Sequence, residues 1–192
     1  MSLEIQKQEL QNLGFKILQS SPDKIIATRK QWYLDCMFTR MSQFVFIHKV
    51  DKLSKQRIEA DRENLEAEAR KIDDSLLPRG FQKGNAVFSL YFAEEMDEES
   101  KKFCHSTPAV RFAHFYLPAA YERKTNSLYY LQHSPIWGFL FYPKFRYLIR
   151  RLLHPQSAPT SAPISWVGLG FDLFLIIMIA FSVLYWGWVL LK

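Results

Sequence analysis

Residues 173–191 read LFLIIMIAFSVLYWGWVLL, 19 consecutive positions without a charge. At about 1.5 Å of rise per residue, a helix of this length spans roughly 28 Å, close to the hydrocarbon thickness of a bilayer. Trp166 stands before the run, and Tyr185, Trp186 and Trp188 stand at its far end. Such rings favour the two membrane interfaces. The competing reading is a core helix, but core helices of this length usually carry a polar stripe. The expectation is a transmembrane helix over 166–191, a linker over 155–165 and one soluble domain over 1–154.

The flanks predict an orientation. Lys144, Arg146, Arg150 and Arg151 precede the helix, with no acid until Asp172. Basic flanks stay on the cytoplasmic side and meet anionic headgroups. The N-terminal domain is therefore expected in the cytoplasm, on a single-pass protein. Only Lys192 follows the run in this sequence, so insertion is expected to follow synthesis, as in tail-anchored proteins. Asp172 is expected in the first turn, where interfacial water and the helix N-terminus lower its cost. Its rival role is a polar contact between neighbouring membrane helices, which would give a homo-oligomer. Cys36 and Cys104 are too few for a disulfide framework, which suits a reducing compartment. The stretch MSLEIQKQEL has no apolar region of the kind a signal peptide carries.

The remaining part suits one domain with its own core. Aromatic residues make up 16% of the chain, which excludes a low-hydrophobicity disordered protein. Leu3, Ile5, Leu10 and Leu13 predict a short helix stopped by Gly14. Strands are predicted at Phe15–Gln19 and Lys24–Arg29. From Leu34 the pattern alternates, with Leu34, Cys36 and Phe38 on one face. Gln43–Val50 is almost wholly apolar, as in a strand buried on both faces.

Composition then shifts to charge. Ser54–Asp74 predicts a long surface helix with a narrow stripe of Ile58, Leu65, Ala69, Ile72 and Leu76. Arg57–Asp61, Arg62–Glu66 and Glu66–Arg70 fall at i,i+4, and the charges read as a solvated face. Pro78-Arg79-Gly80 breaks the chain before a strand at Ala86–Phe92. Another strand is predicted at Ala109–Leu117, ended by Pro118, with Ser127–Gln132 pairing across the Arg123–Asn126 turn. Pro143 opens a helix over 143–153 with Phe145, Leu148, Ile149 and Leu152 on its apolar face. PQSAPTSAP, residues 155–163, reads as a semi-extended spacer that holds the domain roughly 25–30 Å from the bilayer. The predicted fold is α/β or α+β, with a single mixed sheet flanked by helices.

Candidate chemistry is sparse. Glu94, Glu95, Asp97, Glu98 and Glu99 lack the glycine turn of a cation loop and read as a helix start. Cys104, His105 and His114 lack the paired spacing of a zinc site, and no base is shown within reach of either thiol. Helix, three strands, helix, strand is also the core order of restriction-endonuclease-like nucleases, a likeness of order alone. Those enzymes carry Glu/Asp-x-Lys on the third strand, where this chain has His48 and Lys49 without an acid. Glu99-Ser100-Lys101 and Glu122-Arg123-Lys124 match the triplet literally but fall in a helix start and a turn. No glycine-rich phosphate loop occurs. Trp137–Tyr142 suits either core or membrane interface.

The leading expectation is a membrane-tethered cytoplasmic interaction or regulatory domain that needs no cofactor or metal. Its partners are the lipid bilayer and a protein, not nucleic acid. The alternative is a membrane-bound metal-dependent hydrolase with a nuclease-like core, catalytically silent.

Overall fold

The computed structural model describes residues 3–36, 39–73, 83–107, 111, 113–157, 159 and 161–190; at 157, 171, 175 and 184–190 it describes the backbone alone. Six strands form one mixed sheet in chain order: β1 (Lys16–Ser20), β2 (Lys24–Tyr33), β3 (Thr39–Leu53), β4 (Lys83–Met96), β5 (His114–Glu122) and β6 (Ser127–Tyr129). β1, β2 and β3 are antiparallel; β3, β4 and β5 are parallel; β6 returns antiparallel to β5. The parallel steps need crossovers. α2 (Lys55–Ile72) makes the first and α3 (Glu98–His105) the second. The class is α/β.

Period-two alternation sorts the central strands between two cores. Val45, Ile47, Phe88 and Leu90 face α1 (Glu4–Asn12) and α4 (Tyr142–Leu153), in a cluster with Leu10, Phe145, Leu148 and Leu152. Phe44, Phe46 and Val87 face α2, with Leu65 and Ala69. Ile58 and Cys104 close a third cluster beneath α2 and α3. Ser54 caps α2 by accepting from the Arg57 amide, and Asp97 caps α3 by accepting from the Ser100 amide. Gly14 ends α1 at φ 78°, as its position predicts.

Several expectations are corrected. The alternation from Leu34 is not a strand. Tyr33 pairs with Thr39, so 34–36 must turn, and Leu34 is exposed; Met37 and Phe38 lie outside the described residues. β5 runs through Pro118 instead of ending at it. β6 reaches only as far as Ala120, so the N–H that Pro118 lacks costs no bond to β6. Glu94 and Glu95 belong to β4 and pair with Arg123 and Lys124; the helix start proper is Asp97 to Glu99. In α1, Ile5 is exposed and Gln6 buried. On α2, Glu66 is buried, not solvated, and binds Arg62 at 3.0 Å and Arg111 at 2.6 Å. Leu76 and the Pro78-Arg79-Gly80 break lie outside the described residues.

Candidate membrane-facing site

α4 forms where its apolar positions recur at helical spacing behind Pro143 in its first turn. Phe145, Leu148, Ile149 and Leu152 seat it on the sheet, all buried. After a short 3-10 turn at Pro155–Ser157, the chain does not stand away as a spacer. Lys144 Nζ donates to the Pro163 carbonyl at 2.9 Å, which folds the linker back along α4. The same ammonium donates to Asp35 Oδ2 at 2.6 Å, and the Ser165 amide donates to that oxygen at 2.8 Å.

Ser165 also begins the last helix, α5 (Trp166–Leu190), since its Oγ accepts from the Gly168 amide at 3.1 Å. Gly168 lies so close to the 34–36 turn that a Cβ there would come within 1.7 Å of the Asp35 carbonyl oxygen. Cys36 is buried in this junction, with its thiol 3.7 Å from the Leu140 carbonyl. Burial, and then the Asp35 carboxylate, push that thiol up to about 12, so it stays protonated. The carboxylate of Asp172 adds to the same push, and Asp172 is itself buried.

One side of this seat is a hollow that includes Asn12, Arg29 and Gln31, and the neighbouring segments expose large apolar side chains. Trp32, Leu34, Ile136, Trp137, Phe139, Ile164 and Trp166 are exposed, Ile136 at 95% and Trp166 at 77%. A cleft of about 270 Å³ between Phe139, Leu140, Ile164 and Trp166 joins the loop before α4 to the start of α5. The aromatic block thus divides: Tyr142 is core, while Trp137 and Phe139 belong to this collar. Beyond it α5 stands clear, with Leu173, Phe174, Ile176, Ile177, Ile179, Phe181 and Val183 exposed. Among the described residues it is the one helix long and apolar enough to cross a membrane. The side chains of Tyr185, Trp186 and Trp188 lie outside the described residues.

The four basic residues of the flank do not act together. Lys144 is an internal ion-pair partner, only 9% exposed. Arg151 pairs with Glu9 at 2.6 Å. Arg146 donates to the His133 carbonyl and to Ser134 Oγ, and Arg150 lies one turn along the same face. Asp35, on which the seat depends, carries no local signal in the sequence.

Elsewhere the candidate chemical groups are occupied structurally. His48 stacks on Tyr91 at 5.6 Å, and Lys49 pairs with Asp23 at 3.8 Å. Cys104 is buried beneath α3, while His105 bonds the Tyr130 carbonyl and His114 lies 3.5 Å from Glu66, so these groups do not converge. Among the described residues no three of His, Cys, Asp and Glu are placed to hold a metal ion.

Three acids, Glu122 and Glu66 buried and Asp35 partly so, set an acid limit. Burial raises Glu122, but bonds from Thr125, the Met96 amide and Lys101 outweigh it, leaving the carboxyl below its ordinary value. Arg62, His114 and Arg111 do the same for Glu66, and Lys144 and the Ser165 amide for Asp35. A carboxyl lowered in the folded state stabilises above its unfolded pKa, about 4, and loses that contribution as pH falls through the folded value. The melting temperature is expected to be flat at neutral pH and to drop below about pH 4. Glu122→Gln should lower it at pH 7 and flatten the acid slope; an unchanged slope would show that Glu122 is not a source of it.

No protein-family model matches the chain, and neither a curated protein nor a solved structure shows a significant match.

Proposed function

We propose that the chain is a single-pass membrane protein whose N-terminal domain rests on the cytoplasmic face of the bilayer and serves as an interaction or regulatory module, not an enzyme. The observation that carries this reading is the collar. The segments that lead to the root of α5 carry exposed apolar side chains: Trp32 and Leu34 flank the Asp35 turn, Ile136 and Trp137 precede Phe139, and Phe139 shares a cleft with Trp166. Exposed apolar side chains at the root of an apolar helix suit an interface with lipid. Arg146 and Arg150 lie beside it and supply the basic flank that cytoplasmic placement favours.

The opposite end of the sheet suits a protein partner. β3 starts beside the collar, at Thr39, and ends at Leu53; 15 extended residues place its far end roughly 45 Å away. There α2 and α3 begin, and Lys55, Glu59, Glu99, Lys102 and Phe103 line an open, mixed-charge hollow. The strand positions that the nuclease order would use for catalysis carry instead the stacked His48 and the paired Lys49.

Full-length protein is expected to stay in the pellet after carbonate extraction, and a chain truncated before Ser165 to be released. Protease added outside intact cells or spheroplasts should leave the domain uncut until lysis. Extraction of the full-length chain would overturn the spanning helix; digestion without lysis would overturn the orientation.

A further inference from the structure

The refolded linker leaves a groove of about 230 Å³ along α4, between Tyr130, Arg146, Tyr147, Arg150, Ser161 and Pro163. No acid is among the described residues that line it. Arg146 and Arg150 stand one helical turn apart, so both guanidinium groups reach the same side. Arg146 is held through Nη1, which donates to the His133 carbonyl at 3.0 Å and to Ser134 Oγ at 3.1 Å. A guanidinium carries five N–H groups in a planar fork that matches phosphate oxygens.

The surroundings point to the kind of phosphate. Ser134 leads directly into Ile136 and Trp137, and Pro163 into Ile164 and Trp166, all exposed members or neighbours of the collar. Cations therefore stand immediately next to apolar surface, the order in which a bilayer presents headgroup and acyl chain. A soluble phosphate would need no apolar border.

We propose that this groove binds the phosphate of an anionic phospholipid, clamped by Arg146 and Arg150, while the acyl chains lie against the collar at Ile164 and Trp166. The site rests on the membrane-surface reading above. It makes the domain a reader of lipid charge as well as a passenger on the bilayer.

The test uses full-length protein in mild detergent, stripped of lipid and then offered phosphatidylglycerol or phosphatidylcholine. Native mass spectrometry counts the lipid retained. Phosphatidylglycerol should be retained in clear preference, and each arginine removed should weaken it about tenfold, as expected for a charge-assisted contact. R146Q/R150Q should lose the preference and R146K/R150K should keep part of it, with thermal melts in the same detergent checking the fold. Equal retention of the two lipids by the wild-type chain overturns the site, as does a preference that survives R146Q/R150Q. Displacement of the lipid by an equal concentration of inorganic phosphate overturns the lipid assignment. Carbonate extraction of the same protein separates the two levels: a chain that resists extraction but shows no lipid preference refutes the groove alone.

Discussion

Replacing Phe145 with Ala is expected to remove about 4 kcal/mol of stability, out of the 5–15 kcal/mol typical of a domain. Phe145 is fully buried where α4 meets the sheet. Its ring meets Phe115 at 5.2 Å and Phe88 at 5.4 Å edge-on, and Tyr142 at 6.0 Å. Truncation loses the transfer free energy of the ring and leaves a cavity framed by other rings, which cannot easily collapse to fill it. For a domain of this size the melting temperature should fall by roughly 10 °C, followed by near-ultraviolet circular dichroism in detergent. A shift of only a degree or two would mean that α4 is not part of the cooperative core. The effect also reaches the root of α5, because Lys144 precedes Phe145 and loses its fixed position with it.

Asp35→Ala is expected to cost about 3 kcal/mol, since it strands a buried ammonium. It also removes the acceptor of the Ser165 amide. The linker should then come away from α4, and limited proteolysis of the full chain should cut within 155–165 far faster than in the wild type. The double variant Asp35→Ala with Lys144→Met should recover much of the melting temperature, because it removes the stranded charge, yet the linker should stay open to protease. Gly168→Leu approaches the same seat from the other side. It drives a side chain into the Asp35 carbonyl and should open the linker while leaving the ion pair in place. Unchanged cutting in both Asp35→Ala and Gly168→Leu would show that the seat does not hold the linker.

What was legible in the sequence was local. The spacing of Phe145, Leu148, Ile149 and Leu152 places α4 to within a residue, because each position is read against its own helix. The apolar run of β3 predicts burial on both faces for the same reason. The polar connections were not legible. Asp35 meets Ser165 across 130 residues, Arg111 meets Glu66 across 45, and Glu122 accepts from the Met96 amide across 26. Charge patterning along a helix says how a residue relates to its neighbours one turn away and nothing about a distant turn that arrives against it. Lys144 therefore read as part of a basic flank, although Asp35 and Pro163 make it an internal post. The linker misled in a related way. Its prolines and serines do favour extended backbone, but extension does not decide whether the segment lies in water or against α4.

The contact between Gly168 and the 34–36 turn bears on how two copies could meet. A membrane helix on a slack tether can spin about its own axis, so its pairing in the bilayer says nothing about what happens above. Here the first turn of α5 is pinned by Ser165 to Asp35 and pressed against that carbonyl, which fixes its azimuth relative to the sheet. Any α5–α5 contact would select which sides of two domains face each other, and turning one domain would turn its helix through the same angle.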